Sequence, residues 1–285
     1  MDGLEYHSAP ALRRPFLVCA FEGWSDAGDS ATSAVTYLKE HWKAEPLASV
    51  DPELFYDFQA HRPLVRMNEA GVREIVWPST DFGYAMLPGV ERDAVVVSGI
   101  EPSMRWPTFT KMILDVAHTT GVELVVGLGA LLAGRPHTRP VRVLGTGTTP
   151  ELCERYDLQP PRYEGPTGVL GAIADGCRLR DLDAVTLWGF VPHYLQGGPF
   201  PTSSLALLRR LGGLVGITID LTELEERAQT HEERISEAVS SDPQISATVE
   251  ELERQADAED LTDVPSGDEL VAEVERYLRD QRGDR

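Results

Sequence analysis

Residues 16–31 constrain the fold of this chain more than any other segment. They read FLVCAFEGWSDAGDSA, in which an apolar stretch runs into a turn with two glycines, and the helical pattern SATSAVTYLKEHW follows at once. A strand, a tight loop and the start of a helix therefore succeed one another without a spacer. In an open α/β sheet such a loop lies at the carboxyl ends of the strands, where ligands bind. The segment predicts where a candidate site lies but not its chemistry.

The same alternation continues up to about residue 219. The predicted strands are 16–21, 54–58, 73–78, 94–100, 123–132, 141–147 and 184–191, and the predicted helices are 28–42, 107–119, 150–156, 166–178 and 202–211. Several strands are apolar throughout, which is typical of strands covered on both faces of a parallel or mixed sheet. The pattern predicts one α/β domain over residues 1–219, a three-layer sandwich with a mostly parallel or mixed central sheet.

Beyond Leu221 the strand pattern stops and three amphipathic helices are predicted. The first spans 221–238, the second begins at Pro243, and the third spans 266–278 after the capping box Ser266-x-x-Glu269. The helices are polar over most of their circumference. Their apolar stripes must therefore pack on one another, on the α/β domain or on a second chain. Residues 220–285 are predicted to form an acidic, all-helical extension.

The charge of the chain is unevenly spread. The net charge is −20, and residues 220–285 contribute −14 of it, from 21 acidic and 7 basic residues. An acidic surface repels phosphate backbones and anionic lipids, so we expect neither nucleic-acid nor membrane binding. No apolar stretch approaches the roughly 18 residues that span a bilayer. The first residues also lack the pattern of a secretory signal, and we expect a cytoplasmic protein.

Motifs for metals and nucleotides are absent from the sequence. Cys19, Cys153 and Cys177 stand far apart without a Cys-x-x-Cys pair, and the first and last of them fall in apolar stretches, as buried free thiols do. His231-Glu232-Glu233 lacks the second histidine of a zinc-protease helix. Neither a Gly-x-Gly-x-x-Gly nor a phosphate-binding Gly-x-x-x-x-Gly-Lys motif occurs. We therefore predict no metal and no cofactor.

The first loop supplies candidate ligand-binding residues. They are Gly23, Trp24, Ser25, Asp26 and Gly28. The glycines allow close backbone approach, and the helix amides behind them could receive an anion. The alternative is structural, because Ser25 or Asp26 can cap the helix and Asp29 suits its first turn. Ser25 also fails the Gly-x-Ser-x-Gly spacing of a nucleophile elbow, which disfavours a serine hydrolase.

Loops after other predicted strands add further candidates. They are Glu101, His137, Thr138, Thr167, His193 and Tyr194. A carboxylate, hydroxyls and histidines at strand ends could line a polar pocket, and neighbouring arginines suit phosphate or carboxylate. Structural alternatives remain open. Glu101 can cap the helix that begins near Pro107 or pair with Arg105, and Thr167 can cap the helix that follows it. Arg135 and Arg139 can pair with carboxylates. A lone histidine can be a hydrogen-bonded structural residue.

The first loop resembles that of the proteasome assembly chaperone family, in its bacterial branch. Beside Glu-Gly-Trp-Ser-Asp-Ala-Gly-Asp at 22–29, the matching segments are 97–102, 127–130, 136–141, 165–168 and 191–194, so that the resemblance covers roughly residues 14–215. It implies an α/β fold like that of purine nucleoside phosphorylases, and assembly into homo-oligomers, with a trimer favoured. It does not imply enzymatic activity.

The last residues of the sequence differ from the family pattern. Family members that dock on the proteasome end with a hydrophobic residue, a tyrosine and one final residue, whereas this sequence ends Gln-Arg-Gly-Asp-Arg at 281–285. Docking by such a tail is therefore not expected. The leading prediction is a non-enzymatic, oligomeric assembly or scaffolding protein that has a protein partner and associates in part through its helical extension. The alternative is a binder, hydrolase or phosphorylase of nucleosides or sugar phosphates that uses the strand-end loops.

Overall fold

A computed structural model of the chain describes residues 3–68, 70–195 and 197–261. The fold is an α/β sandwich with a mixed eight-stranded sheet and helices on both faces, as the strand pattern predicted. The strands are β1 (Leu4–Tyr6), β2 (Phe16–Glu22), β3 (Glu45–Val50), β4 (Leu64–Met67), β5 (Arg73–Val76), β6 (Thr80–Ala85), β7 (Ala94–Ile100), β8 (Leu124–Ala133), β9 (Val143–Gly147) and β10 (Asp183–Pro192). The helices are α1 (Ser30–His41), α2 (Trp106–Thr120), α3 (Pro150–Tyr156), α4 (Val169–Arg178), α5 (Pro201–Val215), α6 (Thr222–Ser241) and α7 (Pro243–Leu261).

The strand order of the large sheet is β1-β3-β6-β7-β2-β8-β10-β9, and β4 and β5 form a separate two-stranded hairpin. The central strand β2 is parallel to both β7 and β8. The flanking pairs β1–β3, β3–β6, β6–β7 and β9–β10 are antiparallel. The parallel centre is buried as expected, because six of the seven β2 residues and the first four of β7 are buried.

Two compact units make up the chain. The first comprises residues 1–24, 35–127 and 167–184, and the second comprises 25–34, 128–166 and 185–285. In the first unit, Phe21 and Phe55 each pack edge-on against Phe109 of α2. In the second unit, Phe200 at the start of α5 packs with Ala130 of β8, Val191 of β10 and Ile235 of α6. The predicted division at residue 219 stays a prediction, and the described part of 220–285 falls in the second unit.

One predicted strand is wrong, and four strands of the structure were not predicted. The segment 54–58 is not a strand, because Pro52–Leu54 form a short 3-10 turn that ends at Phe55, and Phe55 and Tyr56 are buried as loop residues. Strands β1, β3, β4 and β6 were not predicted, since prolines, glycine or charges interrupt their apolar pattern. Helix α3 matches its predicted bounds, and the other helices of the sandwich differ from theirs by up to four residues.

The first two helices predicted beyond residue 220 are present in the structure. Helices α6 and α7 correspond to the first two predicted helices, and their apolar stripes are buried within the second unit. The buried residues of these stripes are Leu224, Ala228, Ile235, Val249, Leu252 and Ala256. The third predicted helix, 266–278, lies outside the described residues.

The described residues bear on two further expectations. None of their helices is long and apolar enough to cross a bilayer. Cys19 and Cys177 are buried free thiols, as predicted, while Cys153 is half-buried. Burial raises the pKa of the Cys177 thiol to about 12, so that this thiol stays protonated at neutral pH.

Candidate functional site

The first loop turns the chain from β2 into α1 through three residues with positive φ, namely Gly23, Gly28 and Asp29. Gly23 has φ 128° and Gly28 has φ 56°, and both values suit glycine. A Cβ on Gly28 would also lie 3.1 Å from Cβ of Phe200, and the Phe200 N–H donates to the Gly28 carbonyl at 2.8 Å. Gly28 therefore permits close packing of the loop on the segment that begins α5. This position serves the fold.

Asp26 caps helix α1. Its carboxylate accepts the Ala31 N–H at 2.7 Å and the Thr32 N–H at 3.2 Å, and the Thr32 hydroxyl donates to it as well. The capping alternative predicted this arrangement. Burial raises the pKa of Asp26 to about 6, although the three donors favour the carboxylate. Ser25 is also buried, and its hydroxyl has no hydrogen-bond partner among the described residues.

Glu101 holds the start of another helix. Its Oε1 accepts the N–H of Val169, the first residue of α4, at 2.7 Å, and the Trp24 N–H also donates to its carboxylate. Burial raises the pKa of Glu101 above its usual value against these two donors. Gly23 lies beside it, because a Cβ there would be 3.4 Å from Cβ of Glu101. The indole of Trp24 is 43% exposed.

Thr167 does not cap α4, so that alternative was wrong. The Thr167 hydroxyl donates to the Gly168 carbonyl at 3.4 Å. The N-cap position of α4 is occupied by Gly168, which has no side chain to cap the helix. The physical reason is that the Glu101 carboxylate already accepts the Val169 amide. Sequence reasoning allowed Glu101 a capping role but assigned it to the helix near residue 107.

His137 is buried between two hydroxyls. The Tyr194 hydroxyl accepts the His137 backbone N–H at 2.7 Å and lies 2.7 Å from Nδ1, while Nε2 lies 3.1 Å from Oγ of Ser236 on α6. Both ring nitrogens of His137 therefore have a hydroxyl partner within the chain, and burial raises the pKa of Tyr194 to about 12.

The residues after His137 bind helix α7. The Thr138 hydroxyl donates to Glu253, and Arg139 donates two hydrogen bonds to Asp257, at 2.7 and 2.8 Å, and one to Glu253 at 3.3 Å. The arginine also lowers the pKa of Asp257 by hydrogen bonding. Arg139 is therefore paired with carboxylates of its own chain, which is the structural alternative given for this residue. The loop fastens α7 through a two-pronged ion pair.

His193 stands at the end of β10 with an exposed ring. Its N–H and its Nδ1 both lie within hydrogen-bond distance of the Ala133 carbonyl, at 3.0 and 3.2 Å. Its ring meets that of Tyr194 edge-on at 5.7 Å. His137, His193 and Tyr194 thus form one cluster in the second unit.

The predicted residues fall into separate groups. Gly23, Trp24, Glu101 and Thr167 belong to the first unit, and Ser25, Asp26, Gly28, His137, Thr138, His193 and Tyr194 belong to the second. Most of their polar groups cap helices or hold helices α6 and α7. Across the described ranges, no cluster of three or more histidine, cysteine, aspartate or glutamate side chains could hold a metal ion.

The sequence analysis did not identify Lys39, a half-buried lysine, as a candidate. Lys39 of α1 donates to Oγ of Ser98 at 2.6 Å and to the Asp81 carbonyl at 3.2 Å, and burial lowers the pKa of its ammonium. Ser98 lies in the segment 97–102, which the sequence analysis matched to the family without assigning this residue a role. A lysine on the inner face of an otherwise amphipathic helix was the available signal. The contact ties α1 to strands β6 and β7.

Comparison with known proteins places the chain in a family. The sequence model of the PAC2 family matches residues 20–239. A PAC2 family protein from Streptomyces avermitilis is 45% identical, with a TM-score of 0.78, over 82% of this chain and 99% of that one. A proteasome-assembly chaperone homologue from Mycobacterium tuberculosis is 41% identical, with a TM-score of 0.75, over the same shares.

A more distant structure shares the fold alone. An archaeal proteasome activator from Pyrococcus furiosus is 21% identical, with a TM-score of 0.67, and the match covers 84% of this chain and 99% of that one. No curated protein matches the sequence. The family match spans more than half of the chain, and the two bacterial structures share over 40% of its aligned residues. The chain therefore belongs to the PAC2 family.

Proposed function

We propose that the chain is an oligomeric, non-enzymatic assembly or scaffolding protein of the proteasome-assembly chaperone type. The kinship with the Mycobacterium tuberculosis chaperone homologue supports the chaperone type. The roles of the candidate residues support a non-enzymatic protein, because Asp26, Glu101 and His137 bond to the backbone or to side chains of their own chain. Self-association needs a surface, and the hairpin of β4 and β5 offers one.

The exposed hairpin is the observation that carries this function. All eight residues of β4 and β5 are exposed, and the hairpin and its surroundings present large apolar side chains to solvent. These are Leu64, Val65, Met67, Val72, Ile75, Val76 and Trp77, each between 42% and 63% exposed. An isolated two-stranded hairpin is marginal in water, and clustered exposed apolar side chains mark an interaction surface. The hairpin therefore needs a partner.

A second copy of this chain is the partner that the charges favour. Residues 62–77 carry three arginines and two glutamates, a formal charge of +1 within a chain of −20. Two copies that meet at this surface therefore repel each other less than their net charges of −20 alone would imply. On one face of the hairpin, Leu64 lies opposite Val76 and Arg66 lies opposite Glu74. Each copy can therefore offer the other an apolar pair and both signs of charge.

The strand edges add a second reason. In a two-stranded sheet both strands have one open edge of N–H and C=O groups, which can accept a further strand. The stripes of α6 and α7 are already buried in the second unit, so that the hairpin is a better surface than these two helices. For the subunit number, a trimer remains the prediction.

Light scattering coupled to size exclusion tests the self-association. The wild-type chain should elute as an oligomer at about 10–100 μM, a range in which contacts of ordinary strength persist. The double variant V65D/I75D places like charges opposite each other on the other face of the hairpin and should be monomeric. Leu179→Asp is the matched control, because Leu179 is 68% exposed and lies outside the hairpin. A monomeric wild-type chain, or an unchanged oligomer in V65D/I75D, would contradict the proposal.

The alternative function, binding of a nucleoside or sugar phosphate, is favoured by one observation. The indole of Trp24 is 43% exposed, and the Trp24 backbone N–H donates to Glu101, a half-buried carboxylate whose pKa is raised by desolvation. An exposed aromatic ring next to a carboxylate suits a base or a sugar. Thermal-shift assays with nucleosides and sugar phosphates test it. Stabilisation should vanish in Trp24→Ala and persist in Trp77→Ala, and the absence of any shift would leave the assembly function alone.

A further inference from the structure

Strand β1 has an open backbone edge. The Asp51 N–H donates to the Gly3 carbonyl at 2.9 Å, in the register of the β1–β3 pair. Hydrogen-bonded and non-hydrogen-bonded pairs alternate along antiparallel strands. Glu5 therefore also bonds to β3, whereas the N–H and C=O groups of Leu4 and Tyr6 point away from the sheet. Among the described residues, none bonds to these outward groups.

The hairpin leaves two similar edges open. The Asn68 N–H donates to the Val72 carbonyl at 2.9 Å, in the register of β4 and β5. By the same alternation, the outward backbone groups of β4 belong to Val65 and Met67, and those of β5 belong to Arg73 and Ile75. Within the described ranges, these two strands pair with each other and with no third strand. Each can therefore accept a further strand.

The side chains of two of these edges are complementary. Leu4–Tyr6 place a glutamate between a leucine and a tyrosine, and Val65–Met67 place an arginine between two apolar residues. Glu5 and Arg66 are exposed, and neither side chain has an ion pair or a hydrogen bond in the part of the chain that the structure describes. Both charges are thus available to a second chain.

We infer that β4 of one copy pairs antiparallel with β1 of a second copy. In the register that bonds all four outward residues, Val65 lies opposite the partner's Tyr6, and Met67 lies opposite the partner's Leu4. Arg66 then faces the partner's Glu5 in a non-hydrogen-bonded pair, where side chains are closest. The pairing rests on the proposed self-association and specifies which strands join the copies.

The other combinations of these open edges are less favourable. Antiparallel pairing of β1 with β1, β4 with β4 or β5 with β5 sets two copies of Glu5, Arg66 or Glu74 opposite each other. Pairing of β1 with β5 sets two different glutamates opposite each other. Pairing of β4 with β5 of a second copy matches Arg66 with Glu74 but places Arg73 opposite Met67. Only β4 with β1 combines opposite charges with uncharged flanking residues.

The other edge of the large sheet is less open. At β9, the Gln159 N–H donates to the Gly145 carbonyl at 2.8 Å, and the Gly147 N–H donates to the Gln159 carbonyl at 3.4 Å. Strand β1 is therefore the better acceptor of a further strand. Because β1 and β4 are different edges, each copy can contact two neighbours, as a ring-shaped oligomer requires. The predicted trimer is one such ring.

Charge reversal tests the pairing by sedimentation equilibrium. Glu5→Arg and Arg66→Glu should each weaken association about three- to thirtyfold, because like charges then face each other. The double variant Glu5→Arg/Arg66→Glu should associate more tightly than either single variant. Glu226→Arg is the matched control, since Glu226 is an exposed glutamate of α6, and it should leave association unchanged.

The outcomes separate this pairing from the self-association itself. A monomeric wild-type chain would contradict the self-association. An oligomer that V65D/I75D dissociates and that Glu5→Arg leaves intact would overturn the strand pairing alone. A double variant that associates no better than the single variants would do the same.

Disulfide cross-linking locates the paired strands. The Cα atoms of a non-hydrogen-bonded pair lie about 4.5 Å apart, within the range of about 4.4–6.8 Å that a disulfide spans. Oxidation of Glu5→Cys/Arg66→Cys with diamide should therefore link copies covalently on a non-reducing gel. Glu5→Cys/Arg73→Cys is the matched control and should give little cross-linking, because Arg73 lies on β5. Equal cross-linking of the two variants, or none of the first in an oligomeric protein, would also overturn the pairing.

Discussion

The hairpin of β4 and β5 and the helices α6 and α7 both combine apolar and charged side chains, but they use them in opposite ways. In the helices, apolar residues recur every three or four positions, and the resulting stripe is buried in the second unit. In the hairpin, the side chains alternate between two faces, and both faces carry apolar groups in solvent. A stripe can be covered by one contact, whereas two apolar faces need a partner on each side.

Truncation of one leucine in each region should give the largest difference. Leu252 of α7 is 8% exposed and Leu64 of β4 is 54% exposed. Leu252→Ala should lower the free energy of unfolding by about 2–4 kcal/mol, because it leaves a cavity in the core. Leu64→Ala should change the free energy of unfolding of the dilute protein by less than about 0.5 kcal/mol. Urea unfolding measures both, and equal losses would show that the hairpin is covered within the chain.

His137 should make the helical region sensitive to pH. His137→Gln should lower the free energy of unfolding by about 0.5–1.5 kcal/mol, since the half-buried residue Tyr194 and the exposed residue Ser236 lose a hydrogen-bond partner. Burial lowers the pKa of His137, which means that the folded state favours the neutral ring. The stabilisation is therefore present above the unfolded pKa of about 6.5 and is lost as the pH falls below it.

Unfolding experiments at about pH 7.5 and about pH 5.5 measure this effect as the difference between wild type and His137→Gln. The difference should be smaller at the lower pH. His118→Gln, an exposed position on α2, serves as the control and should change neither value. A difference that grows on acidification would mean that the folded state favours the charged ring.

Asn68 should affect the hairpin more than the fold. Its Oδ1 accepts the N–H groups of Ala70 and Val72, at 3.1 and 2.9 Å, and thereby shapes the hairpin loop. Asn68→Ala should cost the hairpin about 1 kcal/mol and weaken self-association about three- to tenfold. Asn68→Asp keeps the acceptor but loses the Nδ2 donor to Glu74, and it should retain more of the association than Asn68→Ala. Sedimentation equilibrium gives the constants, and an unaffected association in Asn68→Ala would argue against the hairpin as the contact.

The smallest effect is expected for the ion pair that fastens α7. Arg139→Ala should lower the free energy of unfolding by about 0–1 kcal/mol, because partly exposed ion pairs contribute little. The loss should be greater at low than at high ionic strength. Urea unfolding in about 20 mM and about 500 mM salt measures it. A loss as large as that for Leu252→Ala would mean that charge, rather than the apolar stripe, holds the helix.

The fold was predictable where one pattern dominated. Hydrophobicity alone predicts the apolar strands β2, β7 and β8, and the sequence pattern predicts the helices α3 and α6. Strand β3 and the hairpin strand β4 cannot be recognised in this way, because proline, arginine and short length hide their alternation. The segment 54–58 is apolar because Phe55 and Tyr56 are buried in a loop, and it does not pair in the sheet. Strand pairing across distant segments is not encoded in any local window.

The candidate site was predictable in its residue types but not in its contacts. Sequence reasoning identified Asp26 and Glu101 as carboxylates near helix starts. For Glu101, only the folded chain shows that it caps α4, whose first residue lies 68 positions further on. The link from His137 to Ser236 spans 99 positions and joins a loop to the helical extension. Such contacts depend on how the elements pack, which residue spacing cannot specify.

The sequence alone determined the family, the alternation of strands and helices, the acidic extension and the absence of metal and nucleotide motifs, because each depends on local order along the chain. Only the tertiary structure decided which polar groups cap helices or bind α6 and α7, and which apolar stripes are buried. It also decided that the hairpin of β4 and β5 remains exposed. Burial and hydrogen bonding are properties of neighbours in space, and residues far apart in sequence supply those neighbours.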